Sequence, residues 1–396
     1  MGAIARARCP SPIDRQPLVI KCFYLYPIFM RLNQLRLYNF KNYEETDILL
    51  EGNIHCLTGR NGSGKTNLLD AIHYLSFTKS AFNSSDAQNI RTGQEQFFIK
   101  GSFEINSQSH VVCCSFVSGK KKAIQENGEE CARFSRHIGR FPVVLMSPLD
   151  IELIWNGSEL RRKFMDSLLS QTDEKYLEAL ILYSNQLKQR NSYLRSLENQ
   201  AADMTLLESY DKALAEAGYF IYSKRKDFLH EFLEHAQGCY CFLSNDRDKI
   251  NIHYRSDQDE MPLAEALKKN LSRDLVLQRT TSGVHRDDFL FMLEDSLLAQ
   301  RGSQGQQKSF LMALKWAEFQ TLKNKKGINP LLLLDDIFDK LDDERIKKLL
   351  DLVCIQSVQK SGQVFLTDSR LSRCREIMEK YEAQFYEVEE GTIKRL

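Results

Sequence analysis

The sequence predicts an α/β protein with a core built from two distant parts of the chain, an attached antiparallel β subdomain and an inserted helical arm. Three observations support this fold class. A glycine-rich loop, residues 59–66, stands between an apolar strand candidate and a helix candidate. The apolar run 331–334 ends in two aspartates, and long helical periods fill much of the chain between these features. We therefore expect everything between loop and aspartates to be inserted within one fold.

The glycine-rich loop has the spacing of a phosphate-binding loop. Its glycines let the backbone wrap around a triphosphate, with amide N–H groups directed inward at a helix start. Lys65 would reach the β- and γ-phosphates, and the Thr66 hydroxyl would coordinate Mg²⁺. The alternative is a chance glycine-rich turn, which the flanking strand and helix candidates disfavour. The residues predicted to contact ATP here are Gly59, Arg60, Asn61, Gly62, Ser63, Gly64, Lys65, Thr66 and Asn67.

Composition limits the function classes only weakly. The 396 residues include 54 Lys plus Arg and 53 Asp plus Glu, so a net charge of +1 neither requires nor excludes a nucleic-acid partner. The ten cysteines are scattered, and neither the 113–114 pair nor the 239–241 pair has zinc-knuckle or redox spacing. No run reaches the length of a membrane span. We predict a cytoplasmic protein without a membrane partner, in which residues 1–29 form a disordered extension.

Residues 30–150 are predicted to form the first half of an ATPase domain, with β hairpins. Alternating strands surround turns at 118–119 and 127–128. Phe40 or Tyr43 could stack on an adenine, or both could fill the core. The run Lys120-Lys121-Lys122 lies beside a hairpin tip, where it could meet phosphates or remain solvated.

Residues 151–275 are predicted to form the inserted helical arm. Leu180, Leu187 and Leu194 repeat every seven residues, but polar companion positions argue against a long coiled coil. Two helices folded back on each other fit the pattern. The basic runs 161–163 and 224–226 could contact phosphates or form an ordinary solvated face.

Residues 276–396 are predicted to form the second half of the ATPase domain. The strand 331–334 would place Asp335 on Mg²⁺ and Asp336 beside the phosphates as general base. A Ser-x-Gly-Gln loop precedes a helix, and Ser303, Gly305 and Gln306 are its predicted ATP contacts. The predicted catalytic residues are therefore Lys65, Asp336 and Ser303.

The order of these motifs resembles that of ATP-binding-cassette ATPases. In those proteins the serine loop of one subunit closes over the ATP of the other. The resemblance makes residues 338–342 the subunit-contact loop and 363–368 the last core strand, with its sensor position.

Several further motifs resemble the RecF family, from residue 30 nearly to the end of the chain. They are Asn39-Phe40-Lys41-Asn42-Tyr43, Ser147-Pro148-x-Asp150, Arg161-Arg162-Lys163-Phe164-Met165-Asp166, Gln189-Arg190-Asn191, Thr281-Ser282-Gly283-Val284-His285-Arg286-Asp287-Asp288 and Gly302-Ser303-Gln304-Gly305-Gln306-Gln307. Lys41 stands where an arginine is usual, and Val284 where a proline is expected.

This resemblance implies an ATP-dependent homodimer that acts in recombinational repair and replication restart. Its DNA partner would be gapped or junction DNA, with single- and double-stranded parts, and its protein partners would be mediators of the RecO and RecR kind. The dimer would clamp this DNA, and slow, DNA-stimulated hydrolysis of ATP would reset it. His285 and Arg286 would lie near the nucleotide site or its coupling to DNA, or would be structural. The competing classes are a chromosome-organising SMC-type protein, which has a longer helical insertion, and a transporter ATPase, which lacks the arm.

Overall fold

The computed structural model describes residues 29–197, 203–244, 248–337 and 362–396, together with 345, 347, 348, 351 and 352. Most of the predicted N-terminal extension and the predicted subunit-contact loop at 338–342 lie outside these residues. No helix within the described ranges combines the length and apolarity needed to cross a membrane.

The N-terminal part of the chain forms a six-stranded antiparallel sheet with the order β2-β1-β4-β5-β6-β7. Its strands are β1 (Met30–Phe40), β2 (Tyr43–Leu49), β4 (Gln96–Ile105), β5 (Gln108–Val117), β6 (Ala123–Glu126) and β7 (Glu129–Glu130). The predicted hairpin turns are present, with Gly119 and Gly128 at positive φ. Leu32, Leu35 and Leu37 of β1 face the core, and an irregularity in the strand between Leu32 and Gln34 shifts the alternation by one residue. These observations confirm the antiparallel β part of the predicted fold class.

The core sheet has the order β15-β14-β3-β13-β12-β8. Its strands are β3 (Ile54–Thr58), β8 (Val143–Met146), β12 (Leu331–Leu334), β13 (Val364–Asp368), β14 (Ala383–Glu389) and β15 (Thr392–Arg395). Only β15 pairs antiparallel. Every residue of β3, β12 and β13 is buried, as expected for parallel strands covered on both faces. Because β3 and β12 belong to one sheet, the predicted insertion within a single fold is confirmed.

A buried glutamine joins the two sheets. Gln363 donates from Nε2 to the Leu32 carbonyl (3.0 Å), and its Oε1 accepts from the Leu32 amide (2.9 Å). The helix α1 (Lys65–Phe77) packs in the same apolar cluster as β1 and β3. The antiparallel sheet is therefore fastened to the helix that follows the glycine-rich loop.

Helices occupy most of the predicted arm. They are α2 (Glu152–Trp155), α3 (Ser158–Thr172), α4 (Glu174–Ser196), α5 (Met204–Ser244), α6 (Leu263–Lys269) and α7 (Leu271–Leu277). Leu194 near the end of α4 packs against Leu207 near the start of α5, whereas Tyr183 packs in a cluster with Ile221. The two long helices therefore run antiparallel, as two helices folded back on each other would.

A small sheet links the arm to the second half of the core. Its strands are β9 (Ile250–Arg255), β10 (Asp288–Leu293) and β11 (Ser296–Leu297). They are followed by α8 (Leu298–Arg301), α9 (Gln304–Lys326) and, after β13, α10 (Leu371–Met378). The predicted boundary between residues 275 and 276 falls inside α7, and the predicted domain limits stay predictions.

Candidate nucleotide-binding site

The glycine-rich loop connects β3 to α1, and its shape depends on glycine. Gly59 and Gly64 have φ values of +155° and +115°, which other residues rarely adopt. A Cβ atom at Gly59 would lie 2.2 Å from the Val388 carbonyl oxygen, and one at Gly64 would lie 2.4 Å from Nδ2 of Asn42. A side chain at either position would therefore collide with its neighbours.

Polar side chains from the β1–β2 turn support the loop from outside. Asn42 donates from Nδ2 to the Ser63 carbonyl (2.9 Å) and accepts from Nδ2 of Asn67 (2.7 Å). The Tyr43 hydroxyl donates to the Gly64 carbonyl (2.9 Å). Both Tyr43 and Phe40 are fully buried, so the suggestion that either stacks on an adenine is wrong, and both fill the core.

Donor groups line the inside of the loop. The Lys65 ammonium donates to the carbonyls of Gly59 (2.8 Å) and Arg60 (3.1 Å), which holds it within the curve of the loop. The Ser63 hydroxyl is buried and has no hydrogen-bond partner among the described residues. Arg60 and Asn61 are exposed at the tip. An unpartnered hydroxyl, a cation and a helix N-terminus together fit a phosphate chain.

Two threonines bind the aspartate at the end of β12. Thr66 Oγ1 lies 2.9 Å from each carboxylate oxygen of Asp335, and Thr367 Oγ1 donates to Asp335 Oδ1 (2.8 Å). Burial raises the pKa of Asp335, while hydrogen bonds from both threonines act in the opposite direction. A hydroxyl and a carboxylate in contact are the oxygen donors that Mg²⁺ prefers, so Thr66 and Asp335 could hold the ion.

Asp336, the residue after Asp335, lines a second cavity. Asp336 has a φ of +43°, and its amide donates to Thr367 Oγ1 (2.8 Å). Its side chain lines a cavity of about 270 Å³ together with Ser147, Lys308 and Leu311. Since Lys308 and Leu311 belong to α9, this cavity lies between the acidic strand end and the serine-loop helix.

The Ser-x-Gly-Gln loop begins α9 as predicted. Ser303 caps the helix: its hydroxyl accepts from the Gln306 amide (3.2 Å), and Gln306 Oε1 accepts from the Ser303 amide (2.8 Å). Gln306 also donates to Asp248 (2.9 Å), and Gly305 lies against Arg345. Ser303 is exposed, and no hydrogen bond joins it to residues 59–66 within the described ranges.

A larger cavity beside the loop was not predicted from the sequence. It has a volume of about 720 Å³ and is lined by Lys41, Asn42, Thr66, Asn67, Phe82, Asn83, Gln88, Ile90, Arg91 and Thr92. Lys41 pairs with the buried Asp70 (2.6 Å), and its ammonium lies 5.4 Å from the Phe82 ring centroid. Asp70 also accepts from Ser80 (2.6 Å), which fixes this wall of the cavity. The Asn-Phe-Lys-Asn-Tyr motif contributes Lys41 and Asn42 to the lining.

The basic runs of the arm are largely engaged with carboxylates. Arg225 is 2% exposed and pairs with Asp166 (2.8 Å) and Asp287 (3.1 Å). Arg161 pairs with Asp288 (2.8 Å). Both arginines fasten the arm to β10, so the suggestion that they contact phosphates is wrong.

The remaining lysines of these runs have acidic neighbours at the surface. Lys163 pairs with Glu159, Lys224 with Asp173 and Lys226 with Asp259. Of the hairpin run, Lys122 donates to the Thr78 carbonyl (2.5 Å) and pairs with Asp86 (3.1 Å), whereas Lys120 and Lys121 are exposed.

His285 also lies where the helical arm contacts the segment that leads into β10. Its Nδ1 lies 2.7 Å from the Tyr183 hydroxyl on α4, and its Nε2 lies 3.2 Å from the Thr280 carbonyl. Burial lowers the pKa of His285 to about 4, so the ring is neutral near pH 7. These contacts are those of the structural alternative, in which His285 joins the arm to the returning strand. Arg286 is exposed.

Comparison with known proteins decides the family. The AAA ATPase domain family matches residues 30–356. The DNA replication and repair protein RecF of Flavobacterium johnsoniae is 41% identical over 350 residues, which cover 88% of this chain and 97% of that protein. The chain belongs to the RecF family. A second RecF relative, from Bacteroides thetaiotaomicron, is 39% identical and covers 93% of the chain and 99% of its own length.

Solved structures place this RecF-family chain in the same fold. The recombination mediator protein RecF-ATP in the RecFOR pathway aligns with a TM-score of 0.85 and 28% identity, covering 95% of this chain and all of that one. The Smc head domain from Pyrococcus furiosus aligns with a TM-score of 0.53 and 15% identity, which shows a shared fold alone. The predicted RecF resemblance is thus confirmed.

Proposed function

We propose that this RecF-family chain is an ATPase that forms an ATP-bound homodimer and binds DNA during replication and repair. The contact between Thr66 and Asp335 is the single observation that carries the ATPase proposal. It joins the helix after the glycine-rich loop to the acidic end of β12, the two parts that a nucleotide site needs. Its RecF relatives are named DNA replication and repair proteins, which supports the DNA partner.

Each residue of the site has a role in this proposal. The loop amides, the Ser63 hydroxyl and the Lys65 ammonium bind the phosphates, and Thr66 and Asp335 hold Mg²⁺. The ion, when bound, neutralises developing charge on the phosphates. Asp336 accepts a proton from the attacking water. The cavity lined by Phe82 takes the nucleoside, with its half-buried ring available for stacking.

The second subunit supplies the remaining contacts. Ser303 is exposed at the N-terminus of α9, where amides and a hydroxyl favour an anion. A partner's γ-phosphate is the anion that this arrangement would meet in a homodimer. Gly305 allows the close approach, and Gln306 shapes the loop through its reciprocal cap. ATP would thus join two subunits, and hydrolysis would release them.

DNA and mediator proteins complete the proposed cycle. We infer that the dimer prefers gapped or junction DNA with single- and double-stranded parts, and that mediators of the RecO and RecR kind act with it to load recombinase. Hydrolysis would be slow and stimulated by DNA. Lys120 and Lys121, exposed at the tip between β5 and β6, are the residues that we propose for phosphate contacts.

Fluorescence anisotropy with gapped DNA tests the DNA proposal. Binding should require ATP, and the logarithm of affinity should fall with the logarithm of salt concentration by about 0.9 per phosphate neutralised. Lys120→Glu/Lys121→Glu should lower both affinity and slope. The matched control, Lys268→Glu/Lys269→Glu, makes the same charge change at the exposed end of α6. The proposal would be contradicted if both double variants changed DNA affinity equally, or if DNA affinity were the same with and without ATP.

A further inference from the structure

Three side chains with metal-binding atoms meet beside β6 and β7, the last two strands of the antiparallel sheet. Glu126 ends β6, Cys131 follows β7, and His137 follows a short 3₁₀ turn. A carboxylate oxygen, the thiol sulfur and a ring nitrogen all lie within 4.8 Å of one another. Ligand atoms around a tetrahedral zinc ion are separated by about 3–4 Å, so small side-chain rotations would bring these three to bonding distance.

His137 is oriented as a metal ligand would be. The residue is 1% exposed, and its Nε2 lies 2.6 Å from the Leu75 carbonyl, which requires a proton on Nε2. Nδ1 then carries a lone pair, and it has no partner among the described residues. Burial lowers the pKa of His137, which keeps the ring neutral. A ring that donates to a backbone carbonyl from one nitrogen and offers the other is the usual arrangement of a ligating histidine.

The other two groups are held in place by the sheet. The Cys131 amide donates to the Ile124 carbonyl (2.8 Å), which fixes Cys131 beside β6. Glu126 is buried and accepts from Arg140 (2.6 Å) and His110 (3.2 Å). Burial raises the pKa of the Cys131 thiol, so a bound cation would have to displace its proton.

We propose that Glu126, Cys131 and His137 bind one divalent transition-metal ion, with Zn²⁺ as the best match. One sulfur, one imidazole nitrogen and one carboxylate oxygen form a donor set of the borderline-soft kind that zinc takes. Water would occupy the fourth position. Because His137 also bonds the Leu75 carbonyl of α1, the ion would join the β6–β7 hairpin to the helix that begins at the nucleotide loop. The site is separate from the proposed ATP and Mg²⁺ contacts.

Cobalt titration of the full-length protein, without nucleotide and after removal of metal with EDTA, tests the site. Co²⁺ bound to a thiolate gives a charge-transfer band in the near ultraviolet, which a carboxylate site such as Asp335 does not give. The band should saturate at one Co²⁺ per chain, and added Zn²⁺ should displace the Co²⁺ and remove the band. Cys131→Ser should abolish the band, and His137→Gln should weaken Co²⁺ binding by at least about tenfold. Cys113→Ser, on the half-buried cysteine of β5, should leave it unchanged.

A second measurement needs no variant. Zn²⁺ should slow alkylation of Cys131 by iodoacetamide in the wild-type protein while leaving Cys113 unaffected, as read by peptide mass spectrometry. Circular dichroism of the metal-free proteins checks that the variants fold. Absence of the band in the wild type, its persistence in Cys131→Ser, or equal alkylation of Cys131 with and without Zn²⁺ would overturn the proposal.

Discussion

The hydroxyl of Thr66 lies 2.9 Å from both carboxylate oxygens of Asp335, although 269 positions separate the two residues in the chain. Thr367 bonds the same carboxylate and also accepts from the Asp336 amide. The start of α1 and the carboxyl ends of β12 and β13 therefore meet at one point. This convergence is the structural basis for placing phosphate and metal chemistry at this edge.

Lys65 and Asp336 should affect different steps. Lys65→Met removes a cation from the phosphates and should weaken ATP binding by about 10- to 100-fold. Asp336→Asn keeps a side chain that tolerates positive φ, so ATP binding should persist while turnover falls by about 100-fold or more. Nucleotide affinity and steady-state hydrolysis of both variants separate the roles. Equal loss of binding in both would remove Asp336 from the role of base.

Neighbouring cations of α5 should differ sharply in their contribution to stability. Arg225→Met leaves Asp166 and Asp287 without their buried partner, and this should lower the free energy of unfolding by about 3–5 kcal/mol. Lys226→Met removes an exposed ion pair with Asp259 and should leave the denaturation midpoint nearly unchanged. Urea denaturation followed by circular dichroism makes the comparison. Similar midpoints for the two variants would show that Arg225 does not anchor the arm.

Acidification should destabilise the folded protein because it protonates His285. Burial lowers its pKa to about 4, with Arg286 and Arg162 acting in the same direction, so the folded state disfavours the charged ring. The stability that neutral His285 contributes is complete above its unfolded pKa near 6.5 and is lost as pH falls from there towards 4, on the order of 3 kcal/mol in all. The wild type should therefore lose stability relative to His285→Gln across this range. A pH-independent difference would contradict the assignment.

The sequence predicted what depends on local spacing. The loop at 59–66, the strand ending in Asp335 and the serine-capped start of α9 each follow from short patterns with a physical reason. It did not predict partners brought together by folding: nothing local pairs Arg225 with Asp166, or Thr367 with Asp335. The basic runs were ambiguous for the same reason, because a run of cations does not reveal which carboxylates face it. The sequence did not predict the proposed metal site either, because Glu126, Cys131 and His137 match no compact spacing motif.

The sequence also did not show which aromatic side chain lines the large cavity. Phe40 and Tyr43 stand beside the recognisable motif, yet both are buried in the core. The aromatic ring that lines the large cavity is Phe82, positioned by hydrogen bonds from the 80–83 loop to Asp70. Aromatic side chains carry no local mark that separates a core position from a binding position.

A mixed-dimer experiment tests most directly whether each ATP is shared between two subunits. One variant is Lys65→Met. The other is Ser303→Asp, which keeps a helix-capping side chain at α9 but places a negative charge against a partner's γ-phosphate. In a mixed dimer, one composite site carries both lesions and the other carries neither.

ATP hydrolysis is measured while the ratio of the two variants is changed at constant total protein, with sedimentation equilibrium confirming heterodimers. Each variant alone should be nearly inactive. Shared sites predict recovered activity that peaks near equal proportions and approaches half of the wild-type rate per mixed dimer. Confirmed heterodimers without recovery, or full activity of Ser303→Asp alone, would contradict the claim.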